Sequence, residues 1–265
     1  MPSRFSFAAC LAVLLSASLP MTTLAADVTA DEVRNLLAAA SGDRPADLAG
    51  RNLSELDLSR IDFKRASLAH ANLFGTKLVG ANLAGANLTG ANLDAAWLMR
   101  ADFSNADLSN ASLFAPVIYP SVDVQATEAP NFAGANLSGA RIIARLARVN
   151  LRGAKLANAK LGVDLKNQPM GQMRNDFSSA DLTGADFSGA DANRAVLAFA
   201  NLTNANLART NLSYADLSGA DLTGAELTGA DLTGADLAGA NFKGAKGLDA
   251  AKGLAQAKNR ERASF

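Results

Sequence analysis

A side-chain pattern recurs every five residues through most of this chain. Near the C-terminus it is almost unbroken: Ala215-Asp216-Leu217-Ser218-Gly219, Ala220-Asp221-Leu222-Thr223-Gly224, and on to Ala240-Asn241-Phe242-Lys243-Gly244. Five matches neither the turn of an α-helix nor the two-residue alternation of a flat strand. A short fixed period defines a solenoid, in which each unit is stable only when stacked on its neighbours.

With Leu or Phe taken as the centre of each unit, fifteen centres run at strict spacing from Leu48 to Ile118. Seven more run from Phe132 to Leu161, with a one-residue slip between Ile142 and Leu146, and fourteen run from Phe177 to Phe242. Ala stands two residues before most centres. Residues two apart in an extended segment point the same way, so Ala and Leu face the interior and the intervening Asn or Asp faces out. The last two positions form a turn. Sixteen of the 21 glycines occupy the second of these, where a type II turn needs positive φ.

These units resemble the pentapeptide-repeat family, consensus A(D/N)LXX, over roughly residues 46–244. The resemblance implies an all-β fold, a right-handed quadrilateral β-helix in which four units make one 20-residue coil. Thirty-six units then give about nine coils and a rod on the order of 40 Å long. Charge spacing supports the coil length independently. At 20-residue offsets Asp181, Asn201, Asp221 and Asn241 share a column, as do Asp191, Asn211 and Asp231. Like charges stacked at strand spacing would repel, and carboxylates alternate with amides. Only Asp216 over Asp236 departs from this in the first and third blocks.

Around the solenoid the sequence predicts three further segments. Residues 1–25 read as a secretory signal peptide: Arg4, an apolar run too short to span a bilayer, then small residues ending at Ala25 and Ala26. That places the mature chain in the periplasm or outside the cell. Cys10, the one cysteine, lies within that leader, so the mature chain has no disulfide; loss of Arg4 with the leader leaves 24 basic and 25 acidic residues, a net charge of −1. Residues 26–45 read as a short helical N-terminal cap: Thr29 and Glu32 form a capping box, and Val33, Leu36, Leu37 and Ala40 follow at helical spacing. Residues 245–265 lose the period and read as a C-terminal cap. Open strand edges at the end coils would invite a homodimer. The period is interrupted near residues 119–130 and 162–176, and solenoid insertions often carry function.

Two clusters are candidates for binding a protein or anionic partner. Folding the first block into squares puts Val79, Trp97, Met99, Val117 and Tyr119 outward on one side, with Lys77 one rung from Trp97 and Phe74 and Phe114 nearby. Such a patch marks a contact site or lies under the insertion that follows it. The second block is basic: Arg141, Arg145, Arg148, Arg152, Lys155 and Lys160, with Lys166 and Arg174 beyond, against the single acid Asp164. This belt reads either as a dock for an anionic ligand or as a solvated balance to the acidic coils.

Catalysis finds little support. The single histidine, His70, sits at a turn, and no mature cysteine exists, so a Cys–His arrangement is excluded. Met170 and Met173 with Gln168 and Gln172 form a weak soft-metal motif, and no cofactor is expected. The sequence therefore predicts a non-catalytic extracytoplasmic scaffold. The alternatives are a protein with no specific ligand or, by the same family resemblance, a DNA mimic that binds DNA gyrase. The mimic needs a strongly acidic surface in the cytoplasm, which this near-neutral chain with an export signal lacks, and no nucleic acid is expected as partner.

Overall fold

The computed structural model describes residues 26–41, 44–63, 65–119, 125–162 and 174–265. The leader and the Met170/Met173 motif lie outside the described residues. In the unit 215–219 every backbone N–H has a partner. Ala215 closes the preceding turn on the Leu212 carbonyl at 3.0 Å. Asp216 donates to Ala195 of the preceding coil at 2.9 Å, and Leu217 and Gly219 donate to Asp236 and Ala238 of the following coil. The fifth N–H, on Ser218, has only the Asp216 carboxylate, which accepts it at 3.0 Å. This explains the outward Asp or Asn: its side chain caps the one donor that neither turn nor ladder reaches.

Parallel pairing joins outward residues in four columns, which form the four faces of a rod. Face I runs from Asp47 to Lys246, face II from Asn52 to Lys252, face III from Asp57 to Val117 and again from Arg145 to Lys258, and face IV from Asp62 to Ser264. Partners are 20 residues apart in the regular blocks, as in Asn52 to Asn72 and Asp181 to Asn201. The first interruption lengthens the step to 29 residues, from Asp102 to Asn131; the slip shortens the next to 19, from Asn131 to Asn150. The second interruption lengthens it to 31, from Lys155 to Asp186. Across the first of these, β1 (Ser112–Phe114) pairs in parallel with β2 (Arg141–Ile143), Leu113 facing Ile142.

The interior is a column of Leu, Phe and Ala without solvent contact, Leu83 and Leu222 among them. Each buried Leu contributes about 2 kcal/mol. Thr76 and Thr210 stand at inward Ala positions and are buried, their hydroxyls donating to the carbonyls of Leu53 and Phe187 at 2.8 Å. Ala192 replaces the usual Leu, and in the same coil Phe177 and Phe187 meet edge-on at 6.3 Å.

At the N-terminal end α1 (Ala30–Ala39) starts from the Thr29–Glu32 capping box, and Val33 and Leu37 join the core cluster. Asp27 pairs with the backbone of Asn52 in both directions, satisfying part of the first coil's edge. At the other end the solenoid does not stop at Gly244. Residues 245–265 complete another coil, pairing Lys246, Lys252, Lys258 and Ser264 with Glu226, Asp231, Asp236 and Asn241. The sequence period vanishes there because the step grows by one residue per face, from 20 to 23, the extra residues forming 3₁₀ turns at the corners.

Candidate interaction face

The register sorts the surface into three polar faces and one mixed face. Every outward column residue of faces I, II and IV is Asp, Glu, Asn, Ser, Lys or Arg. Face III alone carries Trp97, Val117 and Val196. Four large apolar side chains of the repeats are exposed, Phe74, Trp97, Phe199 and Tyr214, and all lie on face III or its two corners. Both insertions also border it. The first leaves after Tyr119 at the corner between faces III and IV; the second falls between Lys160 of face II and Asp176 of face III.

Trp97 is 41% exposed, and the Lys77 ammonium lies 6.0 Å from its ring centre on the preceding rung. Val117 follows on the next rung, and Val79 is half-buried at the neighbouring corner. Two residues expected outward are not. Met99 is buried, because the first insertion returns across its corner, Glu128 accepting the Arg100 N–H at 2.9 Å. Tyr119 is buried because its ring lies down over the next coil, the hydroxyl donating to the Ala147 carbonyl. Burial pushes its phenol up to about 12. Beside Tyr119 lies a shallow cavity of about 200 Å³ lined by Pro116, Val117, Ile118, Tyr119, Ala144 and Arg145.

Placing Trp or Val in the outward column has a local cost. Met99, Tyr119 and Ala198 lose the side-chain acceptor that Asn or Asp gives the equivalent N–H elsewhere. The cost is about 1 kcal/mol each, concentrated on one face.

The basic belt is not a uniform ring. Its residues divide among the faces: Lys155 on face I, Arg141 and Lys160 on face II, Arg145 on face III, with Arg148 and Arg152 at corners. The 31-residue step then sets cations against carboxylates. Lys155 pairs in register with Asp186, Lys160 with Asp191 and Arg145 with Asp176, while Arg152 reaches Asp181 at 3.8 Å. Arg141 turns over the Phe114 ring at 4.9 Å. Most of the belt therefore faces the acidic third block, an arrangement hidden in the sequence because the insertion lengths set it.

Sequence reasoning missed the lower part of face III. Val196 and Phe199 lie there, with Tyr214 and, at 5.3 Å over its ring, Arg194 at the corner. The signal was Val in an outward position, but the register could not be carried across two insertions. His70 stands at a corner with φ 57°, its ring lying against Gly90 of the next coil. Among the described residues no three His, Cys, Asp or Glu side chains are grouped to hold a metal ion.

Stacked four-sided coils of five-residue sides define a class of parallel β-solenoid. Eight copies of the pentapeptide-repeat model match this chain, over residues 46–78, 76–113, 176–213 and 210–246. The chain belongs to the pentapeptide-repeat family, and its coils form that family's right-handed quadrilateral β-helix. Pentapeptide-repeat proteins are in general structural or interaction proteins. Among solved structures, the chain is similar to HetL, a pentapeptide repeat protein involved in heterocyst differentiation regulation from the cyanobacterium Nostoc sp. strain PCC 7120. The identity is 31%, over 89% of this chain and 94% of that one, with a TM-score of 0.43. A pentapeptide repeat protein of the Arabidopsis thaliana thylakoid lumen shares 32% identity over 44% of this chain and 66% of its own, with a TM-score of 0.26. QnrB1, a plasmid-mediated fluoroquinolone resistance protein, shares 21% over 76% and 90%, with a TM-score of 0.28. No curated protein matches.

Proposed function

We propose that this protein is a non-catalytic scaffold that works outside the cytoplasm and captures a protein partner on face III. The confinement of exposed large apolar side chains to one face of four carries this reading, because scattered apolar residues need no explanation but a grouped stripe does. Trp and Tyr are also the side chains that most often anchor interfaces. Export through the leader at residues 1–25 supplies the location. The rod supplies rigidity, and α1 acts as the lid on its first coil. Among the described residues no helix is long and apolar enough to cross a membrane.

Cross-linking in the periplasm of the producing cell tests this. The wild type forms a discrete adduct that is lost with Trp97→Ala, while circular dichroism shows the variant folded. Equal capture by both forms overturns the face, and recovery of the protein from the cytoplasm with its leader intact overturns the location.

A further inference from the structure

We infer that the open N-terminal edge of face III, at Asp57 and Ser59, takes an extended peptide segment of another protein as one added parallel strand. This site lies at the end of the rod and is independent of capture by Trp97. On the next rung every equivalent group is paired. The Lys77 N–H donates to the Leu56 carbonyl, and the carbonyls of Lys77 and Val79 accept from Leu58 and Arg60, each at 2.9 Å. In the first coil the Asp57 N–H and the carbonyls of Asp57 and Ser59 have no such partner among the described residues. On face II the chain serves the same edge itself. Asp27 donates to the Asn52 carbonyl at 3.0 Å, and its carboxylate accepts the Asn52 N–H at 3.1 Å. Above face III, α1 covers the apolar top of the rod through Val33 and Leu37 without bonding to the edge.

Between α1 and this edge runs a groove of about 330 Å³, lined by Leu37, Ala38 and Ile61 with Arg34, Ser59, Arg60 and Asp62. One donor and two acceptors in a row along an extended backbone specify another main chain. In the geometry of the other rungs, the first residue of the segment offers its carbonyl to Asp57. The third and fifth offer their N–H groups to Asp57 and Ser59. The first and third side chains then point the same way, toward Leu37, Ala38 and Ile61, and are apolar. Charge does not choose the occupant: Arg34 is bonded to Asp31 at 2.7 Å, Asp57 stands in register with Lys77, and Arg60 and Asp62 line the groove together. A second copy cannot supply the strand. Its last coil turns at the corners in 3₁₀ helices, and α1, about 10 Å across, holds two first coils farther apart than the roughly 4.8 Å of strand pairing.

The test uses the full-length protein and the peptide Ser-Thr-Ala-Thr-Val-Thr-Gly-Thr-Ser, with amide exchange at Asp57 read by NMR. Two control peptides accompany it: one scrambled so that Ala and Val are adjacent, one with N-methylvaline. The free Asp57 amide exchanges at the rate of an open amide, and saturating peptide slows it at least about tenfold. The N-methyl peptide, which lacks one donor, binds about fivefold more weakly, and the scrambled one more weakly still. Ala38→Trp, which fills the groove from the exposed side of α1, abolishes protection. Ala39→Trp, on the opposite flank of α1, leaves it unchanged, as does Trp97→Ala. Equal binding of the three peptides overturns the inference, as does an Asp57 amide that no peptide protects. Protection that appears without peptide as the protein is concentrated would make a second copy the occupant and overturn it too. None of these results bears on the adduct at Trp97.

Discussion

The side-chain amide of Asn175 donates to the main-chain carbonyl of Ile142 at 2.6 Å, across 33 residues of sequence. It also donates to the Leu161 carbonyl at 2.7 Å, and its Oδ1 accepts the Ala144 N–H at 2.8 Å. Asn175 is buried, and it sits where the one-residue slip removes a normal turn and the second insertion rejoins the rod. One side chain thus replaces missing backbone partners on two coils. Asn175→Ala leaves these groups buried and unsatisfied and is expected to lower stability by about 3 kcal/mol. Urea denaturation measures it; a loss under 1 kcal/mol would show that water takes the place of the amide.

A second prediction concerns the corners. Phe199 adopts φ 58° although it is not glycine, and its ring lies across Gly219 of the next coil. A Cβ built on Gly219 would stand 2.5 Å from that ring, whereas one on Gly184 meets nothing within 4 Å. Both glycines have positive φ, near 65°. Gly184→Ala is therefore expected to cost about 1 kcal/mol from the backbone alone, and Gly219→Ala measurably more. The excess should disappear in a Phe199→Gly background. An excess that persists there would rule out the ring as its source.

The five-residue period and the 20-residue coil were legible because the interior is filled mainly by Leu, Phe and Ala, and because stacked carboxylates need amides between them. Asn211 donates to Asp191 at 2.9 Å and Asn206 to Asp186 at 3.0 Å, so the alternation is a hydrogen-bonded ladder as well as charge avoidance. The patch around Trp97 was legible within the first block for the same reason. The outward placement of Met99 and Tyr119 failed because tertiary packing by the insertion and the following coil decides those two corners. Nor was the sharing of one cavity wall by Val117 and Arg145 legible: it depends on the first insertion and the one-residue slip, which no local pattern encodes. The glycine rule was legible only in part, since Arg194, Phe199 and Tyr214 adopt the same positive φ as the glycines.

The half-buried Val196 gives a test of the cost of face III. It lies between Asp176 and Asp216 in the column, and the Ala198 N–H two residues on lacks a side-chain acceptor. Asn at this position would cap that N–H and bridge the two carboxylates, as Asn206 does above Asp186. Val196→Asn is expected to raise stability by about 1 kcal/mol, read as a higher melting temperature. A fall would show that packing of the valine outweighs the missing bonds.

Acid sensitivity follows from the ladder carboxylates. The Thr223 hydroxyl, at 2.5 Å, holds Asp221 below the usual carboxylate range, helped by the Thr223 N–H at 3.0 Å and by Asn241 at 3.2 Å. A lowered folded-state value gives stability that is complete above the unfolded value, near pH 4. That stability is lost as pH falls through the lower folded value. Asp221→Asn keeps an acceptor, in a column like the bonded run Asn52–Asn72–Asn92. Its stability at pH 7 should stay within about 0.5 kcal/mol of wild type, with a shallower decline below pH 4. An unchanged acid limb would remove Asp221 from the account.

Tyr119 governs the alkaline side by the opposite sign. Burial raises its phenol to about 12, with Asp176 adding to the shift and Arg148 and Arg145 opposing it. Below the unfolded value, near pH 10, both states keep the proton and the contribution is complete. Between there and about pH 12 only the unfolded chain ionises, so stability falls as pH rises. Tyr119→Phe should be less stable at pH 7 by about 1 kcal/mol, because the Ala147 carbonyl loses its donor, yet it should lose less between pH 10 and 12. Melting curves of both proteins across that interval decide it. Parallel decline would mean that the phenol is already ionisable in the folded rod and that its corner is open to water.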